Sequence, residues 1–163
     1  MGDELDYKPM GNAVVVPHTL TIAQAVRAAT ASFRDDLHKI VGSEPIIEVE
    51  SNGRTFILAT YGAGKYLQMA SFSIAEFPGN CGIAVFYHAS VAHDFQHKGL
   101  GKLLLELRQE AARKAGYTIA MATVLKTNKA ERTILLNAGW GEGSEFVNVR
   151  TKNTVVLYTK KLR

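Results

Sequence analysis

The spacing of apolar positions changes several times along the chain, and each change marks an element. Thr21 with Gln24 fits a capping box, and Ile22, Val26, Ala29, Phe33, Leu37 and Ile40 then recur at helical spacing, which predicts one long helix or two short ones. Alternating or β-branched runs follow at Ile46 to Glu50 and Arg54 to Tyr61, joined by Ser51-Asn52-Gly53, whose Asn-Gly pair signals a hairpin. Gly62 and Gly64 lead into Lys65 to Ile74, and Pro78-Gly79-Asn80 turns the chain into a run from Ile83 to Val91. An earlier strand is expected at Asn12 to Val16.

From Leu100 the period becomes helical again. Leu100, Leu103, Leu104, Leu107 and Ala111 share one face, while Lys102, Glu106, Gln109, Glu110 and Arg113 take the other. Gly116 is placed to end that helix, and Tyr117 to Leu125 reads as a buried strand parallel to its predecessor, completing a βαβ unit. Asn128 and Glu131 mark the start of a short helix running to Gly139. Glu145 to Arg150 and Thr154 to Thr159 form a closing hairpin around Thr151-Lys152-Asn153. The order predicts a mixed α+β fold, with a mostly antiparallel central sheet, one parallel step and flanking helices.

Composition narrows the class. With 163 residues, 47% of them hydrophobic and 21% charged, the chain is expected to form a loose leader over 1–11 and a single domain over 12–163. One cysteine excludes an internal disulfide, and the absence of a signal-like or membrane-length apolar run leads to the expectation of a reducing cytoplasm without membrane attachment. Cys81 is expected to be a small buried residue rather than a nucleophile. A net charge of +4 spread along the chain is weak grounds for nucleic-acid binding and suits an anionic cofactor equally well; Lys160, Lys161 and Arg163 read as a solvated tail. No His, Asp or Glu cluster has metal-ligand spacing, so no metal is expected.

The candidate chemistry lies at the strand-to-helix turn Val91-Ala92-His93-Asp94-Phe95-Gln96-His97-Lys98-Gly99-Leu100-Gly101-Lys102. Glycines at a helix start let backbone N–H groups approach an anion, and the helix dipole adds positive potential. The turn fits neither a P-loop nor a dinucleotide fingerprint. Val91, Gln96, Gly99 and Gly101 instead fill the pattern V-x-x-x-x-[QR]-x-x-G-x-[GA], which resembles the acyl-CoA motif of the GNAT (GCN5-related N-acetyltransferase) superfamily. Asn128 followed by Gly139-Trp140 resembles that family's second motif, and the element order resembles its fold from about Asn12 to Leu162.

The resemblance implies an N-acetyltransferase that moves an acetyl group from acetyl-CoA to a primary amine, on a protein or a small molecule, by direct transfer in a ternary complex. It implies pantetheine contacts at Val91, Ala92 and His93, and a pyrophosphate cradle over Gln96, His97, Lys98, Gly99, Leu100, Gly101 and Lys102. Asn128 then contacts pantetheine or organises the splayed strands. Where many members carry an acid tyrosine, this chain has Leu135; that departure motivates an alternative, a non-catalytic acyl-CoA sensor. An alkyl amine is protonated near neutral pH, so attack on a thioester needs a proton acceptor. Tyr87 and His88 are the titratable candidates in the centre of the motif strand, expected by alternation on opposite faces, with Tyr87 sharing the parity of Val91. The identity of the amine and the oligomeric state stay open.

Overall fold

A computed structural model describes residues 20–42, 46–49, 53–62, 68–79 and 81–163. The expected leader over 1–11 and strand at Asn12 to Val16, and the tip of the Asn-Gly hairpin, lie outside the described residues. The elements run α1 (Ile22–Val41), β1 (Ile46–Val49), β2 (Thr55–Gly62), β3 (Gln68–Glu76), β4 (Ile83–Val91), α2 (Leu100–Lys114), β5 (Ile119–Leu125), α3 (Lys129–Asn137), β6 (Gly141–Val147) and β7 (Thr154–Lys161). A 3-10 turn at His93–Phe95 joins β4 to α2.

The seven strands form one sheet in the order β1-β2-β3-β4-β5-β7-β6. Every neighbouring pair is antiparallel except β4 and β5, which run parallel across the crossover helix α2. α1 is one helix of 20 residues. The Thr21 side chain accepts the Gln24 N–H at 3.2 Å while the Gln24 side chain accepts the Thr21 N–H at 2.9 Å, completing the capping box. Gly42, at φ 73°, ends the helix.

α1 and α2 pack against each other, and Val26, Ala29 and Leu37 of α1 enter the same buried cluster as Leu100, Leu104 and Leu107 of α2 and Phe56, Ala84 and Phe86 of the sheet. Burial at these positions supplies most of the stability, since each fully buried aliphatic side chain contributes roughly 1.5–3 kcal/mol. Phe77 links the sheet to the end of α2 through edge-to-face contacts with Phe56 at 5.7 Å and Tyr117 at 5.3 Å.

Four expectations are corrected. Gln109 is buried rather than on the wet face of α2; its side-chain amide donates to the Leu105 carbonyl at 3.3 Å, which satisfies it inside the core. β5 is covered on one face only: Ala120, Ala122 and Val124 are buried, but Ile119 and Leu125 are exposed. Cys81 is exposed at the turn before β4. The basic C-terminus is not a tail, because β7 extends to Lys161, Lys160 bonds the Ala138 carbonyl and Leu162 is buried.

The closing hairpin also begins earlier than expected, at Gly141, and its turn is organised by Asn148, whose side chain accepts the N–H groups of Arg150 and Thr151 at 3.0 and 3.3 Å.

Leu104 sits in this core with 1% exposure. Leu104→Ala should lower unfolding free energy by about 2–5 kcal/mol in urea denaturation, the usual range for a leucine whose cavity cannot collapse.

Candidate active site

β4 and β5 are paired only from Ile83↔Ile119 to Phe86↔Ala122. Beyond that point β4 continues to Val91 and β5 to Leu125 without a ladder between them, so the sheet opens as a wedge. The cause is a bulge. Against β3, Tyr87 pairs with Ile74 and Ser90 with Phe72, so two residues of β4, His88 and Ala89, oppose the single Ser73. His88 takes φ 52°, a left-handed conformation that a non-glycine residue adopts at a cost of about 1–2 kcal/mol.

The bulge corrects the expected alternation. Residues paired across a ladder share a face, so Tyr87 lies with Ile74, while Val91 lies with Ser71 on the other face. Tyr87 and Val91 therefore do not share a face. Tyr87 and His88, expected on opposite faces, instead touch, with ring centroids 5.2 Å apart. The Tyr87 hydroxyl donates to Glu76 of β3 at 3.3 Å, bringing a carboxylate to a strand that carries none of its own.

The turn after β4 is braced from three sides. The Ala92 N–H donates to the Ala70 carbonyl at 2.8 Å, the Gln96 side chain donates to the Val91 carbonyl at 3.0 Å, and the Gln96 N–H donates to the His93 carbonyl at 3.2 Å. Phe95 packs on Gly62, where any β-carbon would collide with its ring, and the Lys98 ammonium sits over that ring, 5.3 Å from its centroid. His97 at φ 60° and Gly99 at φ 83° then turn the chain into α2.

As a result, among the described residues none of the six consecutive N–H groups from His97 to Lys102 makes a well-aligned hydrogen bond to a backbone carbonyl, and the Leu103 N–H is the first that does, to Gly99 at 3.0 Å. Gly99, the N-cap, receives no side-chain bond, and the first turn holds no acidic residue. Such a row of N–H groups at the positive end of a 15-residue helix is an anion cradle.

An open cavity of about 720 Å³ lies against the cradle. Of the residues expected to bind the donor, Val91, Gln96, His97, Gly99, Leu100, Gly101, Lys102 and Asn128 line it, whereas Ala92, His93 and Lys98 do not. Ile134 of α3 closes the far wall, 3.3 Å from where a β-carbon on Gly101 would stand. Asn128 caps α3, its side-chain oxygen accepting the Glu131 N–H at 3.2 Å. Arg132, a basic neighbour of this cavity in sequence, is engaged elsewhere: it donates to Tyr158 at 2.9 Å, to the Lys126 carbonyl at 3.0 Å and to Glu142 at 3.2 Å.

A second, interior pocket of about 180 Å³ fills the wedge itself, and shares Ala89, Asn128 and Glu131 with the first. Tyr87, His88 and Leu135 line it, so the candidate proton acceptors and the aliphatic replacement for the usual tyrosine meet there. So do Arg108 of α2 and Glu131 of α3, of which the sequence marks Glu131 only as a helix-start residue and Arg108 not at all. Burial raises the Glu131 carboxyl above the usual carboxylate range, with the Arg108 charge opposing the shift. The i, i+3 and i, i+4 spacing of Gly101, Leu104, Leu105 and Arg108 was the available signal: one stripe of α2 runs from the cradle to the interior pocket. Among the described residues, no group of three or more His, Cys, Asp or Glu could hold a metal ion, and no helix is long and apolar enough to cross a membrane.

Residues 23–135 match the sequence profile of the Acetyltransferase (GNAT) family, which spans more than half of the chain. The chain belongs to that family and is an acetyl-CoA-dependent acetyltransferase. Among solved structures, nourseothricin acetyltransferase superposes with a TM-score of 0.60 at 16% identity, over 71% of this chain and 71% of that one. The ribosomal-protein-S18-alanine N-acetyltransferase of Escherichia coli gives 0.52 at 17% identity over 88% and 91% of the two chains. A Bacillus subtilis acetyltransferase in complex with CoA gives 0.55 at 14% identity over 79% and 93%. At such identities the likeness is one of fold. No curated protein matches the chain by sequence.

The two glycines of the turn separate by sign. An added methyl at Gly99 meets no atom within 4 Å but is held at φ 83°, so Gly99→Ala should lower stability by about 1 kcal/mol. Gly101 is helical and its methyl meets the flexible end of Ile134 at 3.3 Å and a Val91 methyl at 4.0 Å, so Gly101→Ala should be neutral or stabilising by up to about 1 kcal/mol in the same denaturation series.

Proposed function

We propose that the cradle of His97 to Lys102 holds the pyrophosphate of acetyl-CoA, that its pantetheine arm follows β4 past Val91 and Asn128, and that the acetyl group is passed to a primary amine at the interior pocket. The six unpartnered N–H groups carry this reading, because they offer an anion what water would otherwise supply and no side chain competes for them. The adjoining cavities support a donor lying along the cradle with its thioester in the wedge. Lys102 and Lys129 stand at the wall of the larger cavity, suited to the remaining phosphate of CoA. The resemblance assigned contacts to Ala92, His93 and Lys98 as well; Ala92 and His93 take part in bracing the turn and Lys98 sits over the Phe95 ring.

Acetyl donation by the thioester requires a neutral amine and a stabilised oxyanion. Backbone N–H groups along the unpaired edge of β4, beyond Phe86, suit the oxyanion, since the wedge frees them from a ladder with β5. His88 is the proposed proton acceptor: it lines the wedge, is exposed on its other side, and so connects the amine with bulk water. Tyr87, tied to Glu76, orients that ring and its water rather than attacking anything itself. With Leu135 filling the tyrosine position, the departing thiolate takes its proton from solvent, which a thiol with a pKa near 8.5 tolerates. The reading extends to direct transfer in a ternary complex, because the two cavities adjoin and Cys81, the lone thiol, lines neither.

Gly101→Trp would fill the cavity beside the cradle and should weaken acetyl-CoA binding by about 100-fold or more in calorimetry, while leaving the melting temperature near that of the unaltered chain. His88→Ala should lower kcat in a thiol-release assay by about 100-fold with acetyl-CoA affinity retained, and Tyr87→Phe should have a smaller effect. Acetyl-CoA binding with no thiol release on any amine would favour the sensor over the transferase.

A further inference from the structure

Arg108 is the least expected side chain in the molecule. It lies in the core stripe of α2, with 2% of its surface exposed, and its guanidinium stacks over the Phe86 ring at 5.0 Å. Two of its donors reach protein atoms, and both bonds are long: Nε to the Leu104 carbonyl and Nη1 to the Ile74 carbonyl, each 3.4 Å. A guanidinium has five N–H donors, so most of this fork has no protein acceptor. No carboxylate of the described residues lies within ion-pair distance. Glu131 acts on it across the interior pocket from beyond 4.0 Å, and burial outweighs that help, pushing the Arg108 pKa down to about 10.

A buried guanidinium without an ion-pair partner is costly to the fold, whereas a well-packed aliphatic side chain at the same place would be neutral or stabilising. The side chain is therefore suited to a ligand rather than to the fold. The pocket it lines is bounded on another side by Glu131, so it presents a cation and an anion to one small volume, the same one in which acetyl transfer is proposed. A fixed planar fork matches a carboxylate bidentately, and the carboxylate of Glu131 suits an ammonium.

We propose that the interior pocket is a carboxylate subsite, in which Arg108 binds the carboxylate of a small amine acceptor, so that the enzyme prefers amines of the amino-acid class over uncharged or cationic amines. The proposal rests on the donor site described above. The same carboxylate chemistry has a second source, an acyl donor ending in a carboxylate such as a succinyl thioester, and the experiment is arranged to tell the two apart.

A panel of N-acetyl-amino acids and their primary amides is titrated calorimetrically into the full chain, with and without saturating CoA, for the unaltered protein, Arg108→Met and Arg108→Lys. Acetyl-CoA and succinyl-CoA are titrated alongside. At least one acid should bind about tenfold or more tightly than its amide, a preference lost in Arg108→Met and reduced in Arg108→Lys, which keeps the charge but not the fork. Arg108→Met should melt no lower than the unaltered protein, which a purely structural arginine would not allow.

If instead only succinyl-CoA loses affinity in Arg108→Met, the subsite stands and the carboxylate belongs to the acyl donor. If no acid outbinds its amide and succinyl-CoA gains nothing over acetyl-CoA, or if any preference survives Arg108→Met, the proposal is overturned. Should Arg108→Met not fold, Arg108→Lys decides by the same ratio. Failure of the donor reading shows separately, as absent acetyl-CoA binding, and the titrations without CoA still read the Arg108 preference.

Discussion

The parallel pairing of β4 and β5 stops after Phe86↔Ala122, and the site depends on that stop. A parallel strand inside a sheet normally has both edges satisfied by neighbours, so backbone groups are withdrawn from ligands. Here the bulge at His88 swings the second half of β4 away while β5 stays bound to β7 as far as Leu125↔Val155. The freed backbone of β4 beyond Phe86 faces a pocket lined by side chains of α2 and α3. The strained conformation at His88 persists because ladder bonds on both sides of it hold β4 to β3.

The cradle is the continuation of the same geometry. Once Val91 has left β5, its carbonyl is available to the Gln96 side chain, and the short 3-10 turn holds the chain so that two left-handed residues, His97 and Gly99, can present their N–H groups outward. α2 then runs back beneath β4 with Gly101, Leu104, Leu105 and Arg108 on one stripe. Packing of its leucines against α1 fixes the helix position, and through it the position of both cavities. Stability and site are thus tied to one helix: the face that builds the core also lines the wedge.

How much of this was legible before the structure varies by residue and has physical reasons. The extents of β4 and α2 were readable because period two and period 3.6 are local properties, and Thr21 with Gln24 was readable because a capping box spans four residues. Gly99 and Gly101 drew attention because glycine marks turns on its own. The bulge was not readable: His88 carries no signature of a left-handed conformation, so alternation misplaced Tyr87 relative to Val91. The Glu76 contact to Tyr87 joins residues on neighbouring strands, and Arg108 with Glu131 joins two helices. Within α2, the position of Arg108 four residues after Leu104 puts it on the core stripe, but its burial against Phe86 is visible only in the structure.

The sequence by itself determined the order of elements from α1 onward, the crossover helix, the glycine turn and hence the family, because each of these is set by the spacing of residue types along a few turns or one strand. The tertiary structure alone decided which N–H groups remain unpartnered, where the strands part, and which charges end in the wedge. Those properties depend on hydrogen-bond partners and burial contributed by distant segments: Ala70 for Ala92, Ile74 and Phe86 for Arg108, and Tyr158 for Arg132. A hydrogen bond or an unpaired charge is defined by its neighbours in space, and those neighbours come from anywhere in the chain.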